Sequence, residues 1–177
     1  FPIPEVIRGI NAFAAGVNEV NPEATVEVVW TSTWFGPEVE TQAANALLEK
    51  GADVLAQHQD STATGLAAEA AGAKWISYNT AYGQDSAPEA FVTAPVWDWG
   101  PYYVNIVEQI IDGTFTTESY WGGMETGLVS LYDLSSDVPS DTATLIAEKT
   151  EAIIDGTLEV EIVEEEFISN VIGTVNP

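Results

Sequence analysis

His58 and Asp60 are the nearest the chain comes to a proton-transfer pair, an imidazole two residues from a carboxylate. Such a pair can take up and return a proton. Gln59 lies between them, and neighbouring side chains on a strand point to opposite faces, so spacing alone does not bring the two together. The residues favour His58 as a hydrogen-bonding group at a strand end, with acid–base catalysis as the alternative. His58 is the single histidine, and there is no cysteine. That leaves little room for a Ser-His-Asp triad or a histidine-rich metal site. It excludes disulfides, thiol catalysis and cysteine-ligated metal. No catalytic residue, metal ligand or cofactor is expected.

The other candidates are rings and amides, which bind rather than break bonds. Trp34 and Phe35 follow the apolar, β-branched run 26–30 and precede Pro37, a residue suited to a first helical turn. They therefore stand at the carboxyl end of a strand, where open α/β sheets bind ligands. A flat ring beside the hydroxyls of Thr31, Ser32 and Thr33 is a platform for a flat ligand; the alternative is that both rings cap the core. Asn79 can donate and accept, matching a nucleobase edge or a hydroxyl pair; its alternative role is turn formation. Trp97 and Trp99 flank Asp98, and on an extended segment they share a side, one towards a ligand and the other towards the core. Trp121 sits beside Gly122-Gly123, as pocket lining or as packing. That glycine pair lacks the preceding strand and following helix of a phosphate loop.

The elements that must hold these residues alternate. The spacing of Val6, Ile10, Phe13, Ala14 and Val17 predicts a helix from about Pro4, ended by Asn21-Pro22. A strand over 25–30 follows, then a helix over 38–50 with Val39, Ala43, Ala46 and Leu47 inward and Gly51 closing it. Next come a strand over 52–57, an Ala-rich helix over 64–71 closed by Gly72, and a strand over 74–78. The run 91–96 reads as one strand interrupted by Pro95, hence an edge. A helix over 102–111, a strand over 127–132, a helix over 140–154 and a half-exposed strand over 158–163 complete the set. Ile110-Ile111-Asp112-Gly113-Thr114 and Ile153-Ile154-Asp155-Gly156-Thr157 end two helices the same way. Short loops between alternating strands and helices imply an α/β fold with a mostly parallel sheet covered on both faces, in three layers. The carboxyl-end loops then gather on one rim, bringing Trp34, Phe35, His58, Gln59, Asp60, Asn79 and Trp97 together.

Composition narrows the ligand. The chain has 177 residues, 28 acidic and 4 basic, for a net charge of −24. Phosphate binding needs Lys and Arg, so nucleic acid, an anionic membrane and phosphorylated ligands are disfavoured. Hydrophobic residues make up 46%, enough for a folded core. No apolar run is long enough to span a membrane. The chain starts at Phe1 as though cut from a longer precursor.

Two stretches, Phe1-Pro2-Ile3-Pro4-Glu5-Val6-Ile7-Arg8-Gly9-Ile10-Asn11-Ala12-Phe13 and Val29-Trp30-Thr31-Ser32-Thr33-Trp34-Phe35, resemble the basic membrane protein family. Gly51-Ala52-Asp53-Val54, Gln57-His58-Gln59-Asp60-Ser61, Val96-Trp97-Asp98-Trp99-Gly100-Pro101-Tyr102-Tyr103 and Ser119-Tyr120-Trp121-Gly122-Gly123-Met124 extend the resemblance over roughly 1–160. These are extracytoplasmic substrate-binding lipoproteins of ABC transporters, similar to purine nucleoside receptors. The resemblance implies a type I periplasmic-binding fold, two α/β lobes joined by three crossovers with ligand clamped between them. It implies that 1–96 form the second lobe and 97–120 a crossover helix towards a first lobe upstream, followed by a return strand, helix and strand over 121–163; the tail 164–177 matches the family poorly and reads from its residues as acidic and solvated. A lipid anchor upstream, in the periplasm or at the cell surface, would be the only membrane attachment, and the partner would be an ABC permease.

By position, Trp34 stands where the family stacks an aromatic on a purine. Asn79 replaces the aspartate that usually holds ribose, and Trp97 replaces a lysine that reaches the sugar. Both departures weaken ribose binding, so a free purine base such as adenine is favoured over a nucleoside. Gly36 replaces a capping aspartate. Trp34, Phe35, Gln59, Asp60, Asn79, Trp97 and Trp121 are the expected ligand contacts. The competing readings are an enzyme acting on nucleosides, such as a hydrolase, and a sugar-binding sensor lobe.

Overall fold

The structure, a computed structural model, describes residues 1–173. Three parallel strands form its centre: β2 (Val54–Ala56), β3 (Lys74–Ile76) and β4 (Phe91–Thr93), in the order β2-β3-β4. Leu55 pairs with Trp75, and Trp75 with Phe91. These three residues are the large apolar side chains fully buried in the core. Around them lie Ala44, Ala67, Ala68, Ala87, Ala90 and Ala94. The small residues are there because Trp75 takes up the volume: its indole packs edge-on against Phe91 at 6.2 Å and 78°. Helix α2 (Pro37–Glu49) leads into β2, α3 (Ala63–Ala71) connects β2 to β3, and the two helices pack on one another. Gly72 ends α3 in the left-handed conformation, at φ 72°, as its position predicts.

Helix α1 (Pro4–Val20) buries a different face from the predicted one. Val6, Ile7, Asn11 and Ala14 are inside, while Phe13 is exposed. The buried amide explains the rotation. Asn11 Nδ2 donates to the carbonyls of Val163 at 2.9 Å and Glu166 at 2.8 Å, and its Oδ1 accepts from the Ile168 N–H at 3.1 Å. A polar side chain so fully satisfied can be buried at little cost. The same bonds correct the reading of 164–173 as a solvated tail: the segment is docked on α1. Asn170 Nδ2 also donates to Ala14 O, and Phe167 stacks on Trp30 at 6.1 Å. Residues 174–177 of that predicted tail lie outside the described residues.

The docked segment supplies β7 (Val171–Ile172), which pairs in parallel with β1 (Val26–Glu27). The strand predicted over 25–30 is thus much shorter, and its ladder partner comes from the far end of the chain. The strand predicted over 158–163 does not form; Val163 gives its carbonyl to Asn11 instead. The run 91–96 also divides. Ala94 separates β4 from β5 (Pro95–Trp97), which pairs antiparallel with β6 (Val129–Leu131). Pro95 opens the new strand, a position where its missing N–H is tolerated. A short helix, α4 (Gly83–Ser86), and a 3₁₀ turn over Met124–Thr126 had no sequence signal. Helices α5 (Gly100–Asp112) and α6 (Ser140–Ile154) fall where predicted, but neither has a buried residue.

Candidate ligand-binding rim

Two loops at the carboxyl ends of β1 and β2 are tied into one surface. The Asp60 N–H donates to the Trp34 carbonyl at 2.9 Å, and Gln59 Nε2 donates to Thr31 Oγ1 at 2.9 Å. Within the first loop, Thr33 Oγ1 accepts from the Phe35 N–H at 3.3 Å and donates to the Phe35 carbonyl at 3.1 Å. Trp34 leans on Phe1, ring centroids 5.0 Å apart and tilted 50°, and remains 42% exposed. It is therefore not a core cap. Phe35 is more open still, and Asp60 is exposed.

The cap of α2 departs from expectation. Gly36 is the N-cap and offers no side chain; its N–H instead donates to Glu40 Oε1 at 2.8 Å. Glu40 is only 1% exposed, and its Oε2 accepts from the buried Ser61 hydroxyl. The predicted inward face of α2 is accordingly turned: Glu40 and Ala44 are buried, Val39 and Ala46 exposed. Spacing of apolar residues hid this. A glutamate four residues after the loop, close to capping-box spacing, was the available signal.

The third loop follows β3. Asn79 adopts a left-handed backbone, φ 57°, and its Oδ1 accepts from Trp97 Nε1 at 2.5 Å. Two of the expected ligand contacts are thus directly joined. Trp97 stacks on Trp99 at 5.9 Å and 16°, and Trp99 on Tyr103 at 6.1 Å and 24°. Both indoles are exposed, 45% for Trp97 and 42% for Trp99, so neither enters the core as had been expected of one. Trp121 is engaged by α1. The Arg8 guanidinium lies 4.8 Å from its ring centroid and also pairs with Glu164 at 2.7 Å.

His58 faces α1. A Cβ on Gly9 would meet its Cε1 at 2.8 Å, and its ring lies 4.9 Å from that of Tyr78. Among the described residues no ion pair joins His58 to Asp60. Burial pushes the imidazole below its ordinary value of 6.5, and the Glu5 carboxylate opposes that only in part. Burial likewise raises the Tyr78 phenol; its contact with Asn79 lowers it, and the Glu5 and Asp60 carboxylates add to the rise. For His58 the fold holds the neutral form. Its contribution to stability is complete above pH 6.5 and is lost as pH falls through the depressed folded value. Urea midpoints should fall over that window, and by less in His58→Gln; equal declines in the two would contradict the assignment.

One groove lies apart from the Trp34 and Asp60 loops. It measures about 470 Å³ and lies between α5 and residues 115–120, lined by Tyr102, Asn105, Gln109, Phe115 and Tyr120. Among the described residues no group of acidic or histidine side chains could hold a metal ion, and no helix is long and apolar enough to cross a membrane.

The loops at the carboxyl ends of β1, β2 and β3 thus present rings and amides, among them the exposed Trp34 and Phe35, and the exposed Trp97 at the end of β5 joins them through Asn79. The chain belongs to the family of PnrA-like ABC transporter substrate-binding proteins, the Bmp family, which its residues 1–164 match. It is 42% identical over 160 residues to TsgA13 of Haloferax volcanii, a protein named for glucose binding in an ABC transporter, covering 90% of this chain and 41% of that one. It is 42% identical over 158 residues to a purine-binding protein of Brucella abortus, covering 86% and 43%. Its fold matches an ABC transporter solute-binding protein of Conexibacter woesei with a TM-score of 0.75 at 26% identity, covering 90% of this chain and 54% of that one. The chain thus spans about two fifths of the length of the Haloferax and Brucella proteins. Substrate-binding proteins of this family are extracytoplasmic and serve transport, not catalysis.

Proposed function

We propose that this chain provides one wall of the ligand cleft of an extracytoplasmic receptor that delivers a purine base to an ABC importer. The accessible Trp34 indole at the sheet rim, bonded through its carbonyl to the Asp60 loop, carries the reading. Trp34 stacks on the heterocycle, with Phe35 beside it, while Gln59, Asp60 and Asn79 address polar edges. Trp97, fastened to Asn79, occupies space a ribose would need, so a free base such as adenine is favoured over its nucleoside. Trp121 borders the cleft on the Arg8 side.

The opposite wall belongs to the half of the relatives this chain does not span. The bare apolar side of α5 supports this: Tyr103, Val104, Val107, Ile110 and Ile111 are all exposed. Residues 97–120 are then a crossover towards that half, and closure of two lobes excludes water from the ligand. An upstream lipid anchor holds the receptor at the membrane, and the permease is its protein partner. The reading is of a receptor and not of an enzyme, and the packing of His58 against Gly9 and Tyr78 supports it. A base-release assay on nucleosides should show no turnover.

Calorimetry on the intact protein should show adenine binding. Trp34→Ala should weaken it about tenfold or more, since aromatic stacking contributes about 0.5–1.5 kcal/mol beyond burial and 1.4 kcal/mol is tenfold. Undiminished binding by Trp34→Ala would remove the stacking claim. A second reading, a sugar ligand, is favoured by the exposed Trp97–Trp99 stack and by the name of the Haloferax relative. Competition by glucose but not adenine would select it.

A further inference from the structure

We infer that Glu40 is a positioning residue for the rim, and that it acts as a hydrogen-bond bridge and not as a charge. One carboxylate oxygen takes the Gly36 N–H at 2.8 Å, at the end of the loop that carries Trp34. The other takes the Ser61 hydroxyl, in the loop that carries Gln59 and Asp60. Ser61 Oγ in turn accepts the Ala63 N–H at 3.2 Å, the first N–H of α3. The second loop is gripped from the core side as well. The buried Trp75 indole donates to Gln57 Oε1 at 3.0 Å, and Gln57 Nε2 donates to the Gln59 and Ser61 carbonyls at 2.8 and 2.6 Å.

A continuous polar chain therefore runs from the core tryptophan, under the second loop, through Glu40, to the start of α2. Buried polar groups joined in such a chain hold one geometry, because breaking any link leaves a desolvated donor or acceptor unpaired. Its outcome at the surface is the bond from the Asp60 N–H to the Trp34 carbonyl, which sets one candidate ligand contact against another.

The test uses the intact protein and reads amide hydrogen exchange and adenine affinity together. In Glu40→Ala the Asp60 amide should exchange at least about tenfold faster while the Leu55 and Trp75 amides keep their protection, the mark of a local opening. Ser61→Ala, a milder change, should act in the same direction, and the two effects should not add. Glu40→Gln should retain most of the protection: its Oε1 can accept the Gly36 N–H while its Nε2 donates to Ser61 Oγ. The affinity arm rests on the purine reading. There, Glu40→Ala should weaken adenine binding about tenfold, and the loss should disappear in a Trp34→Ala background. If the unmutated protein ignores adenine, the purine reading fails and the exchange arm alone decides the bridge. An unchanged Asp60 amide in Glu40→Ala and Ser61→Ala, or Glu40→Gln as open as Glu40→Ala, would overturn it.

Discussion

Gly65→Ala should cost the fold about 3 kcal/mol or more, the upper range for forcing an extra methyl into a packed core. On helix propensity the sign would be the opposite, since Ala in place of Gly gains up to about 1 kcal/mol. The local geometry decides. A Cβ on Gly65 would lie 2.2 Å from Trp75 Cε3 and 2.4 Å from Cζ3. The indole has no room to retreat. Its far edge meets Gly83, where a Cβ would sit 2.7 Å from Cη2; it meets Phe91 in a T-shaped contact; its N–H is held by Gln57. Glycine is needed at both positions because the tryptophan is clamped between two helices. The denaturant midpoint of Gly65→Ala should drop with little change in slope. Gly16→Ala, with nothing within 4 Å of its Cβ in α1, should instead be neutral or slightly stabilising. A Gly65→Ala variant as stable as the parent would show that Trp75 can move.

That contact bears on the rim as well as the core. Trp75 holds Gln57, and Gln57 holds the loop carrying Gln59 and Ser61. Little of this was legible in the sequence. The helices and the loops at strand ends were, because Pro at a first turn and Gly at Gly51, Gly72, Gly113 and Gly156 mark local conformations that need no partner. Residues 26–35 announced an aromatic rim for the same reason. What failed depended on distant partners. Asn11 lay outside the predicted apolar face, and only its bonds to residues 163–168 account for its burial. β1 could not reveal that its partner lies at 171–172. Asn79 and Trp97 lie 18 residues apart, and nothing in either neighbourhood foretold that one amide would take the other's indole N–H. Periodicity reports which face is apolar; it is silent about a buried carboxylate such as Glu40, whose burial is tolerated only because both oxygens are engaged.

Folding of this chain should depend steeply on salt. Twenty-eight acidic residues face four cations. Each cation is already spent: Arg8 on Glu164, Lys50 on Glu27, Lys74 on Asp137 and Lys149 on Glu19. Exposed ion pairs contribute about 0–1 kcal/mol each, while the unneutralised carboxylates repel one another across the whole surface. Screening acts on both, but in opposite senses. Shortening the Debye length from about 30 Å at 0.01 M to about 3 Å at 1 M weakens four attractions and a far larger number of repulsions. Repulsion should dominate. The melting temperature should rise by at least ~10 °C over that range, equivalent to about 3 kcal/mol at roughly 2–4 °C per kcal/mol for a domain of this size. Replacing the exposed Glu159, Glu161 and Glu165 together by Gln should raise the low-salt melting temperature and flatten the dependence. A melting temperature that falls as salt is added would mean that the four pairs outweigh the surface field, and a triple variant with the parent's slope would place the effect somewhere other than those carboxylates.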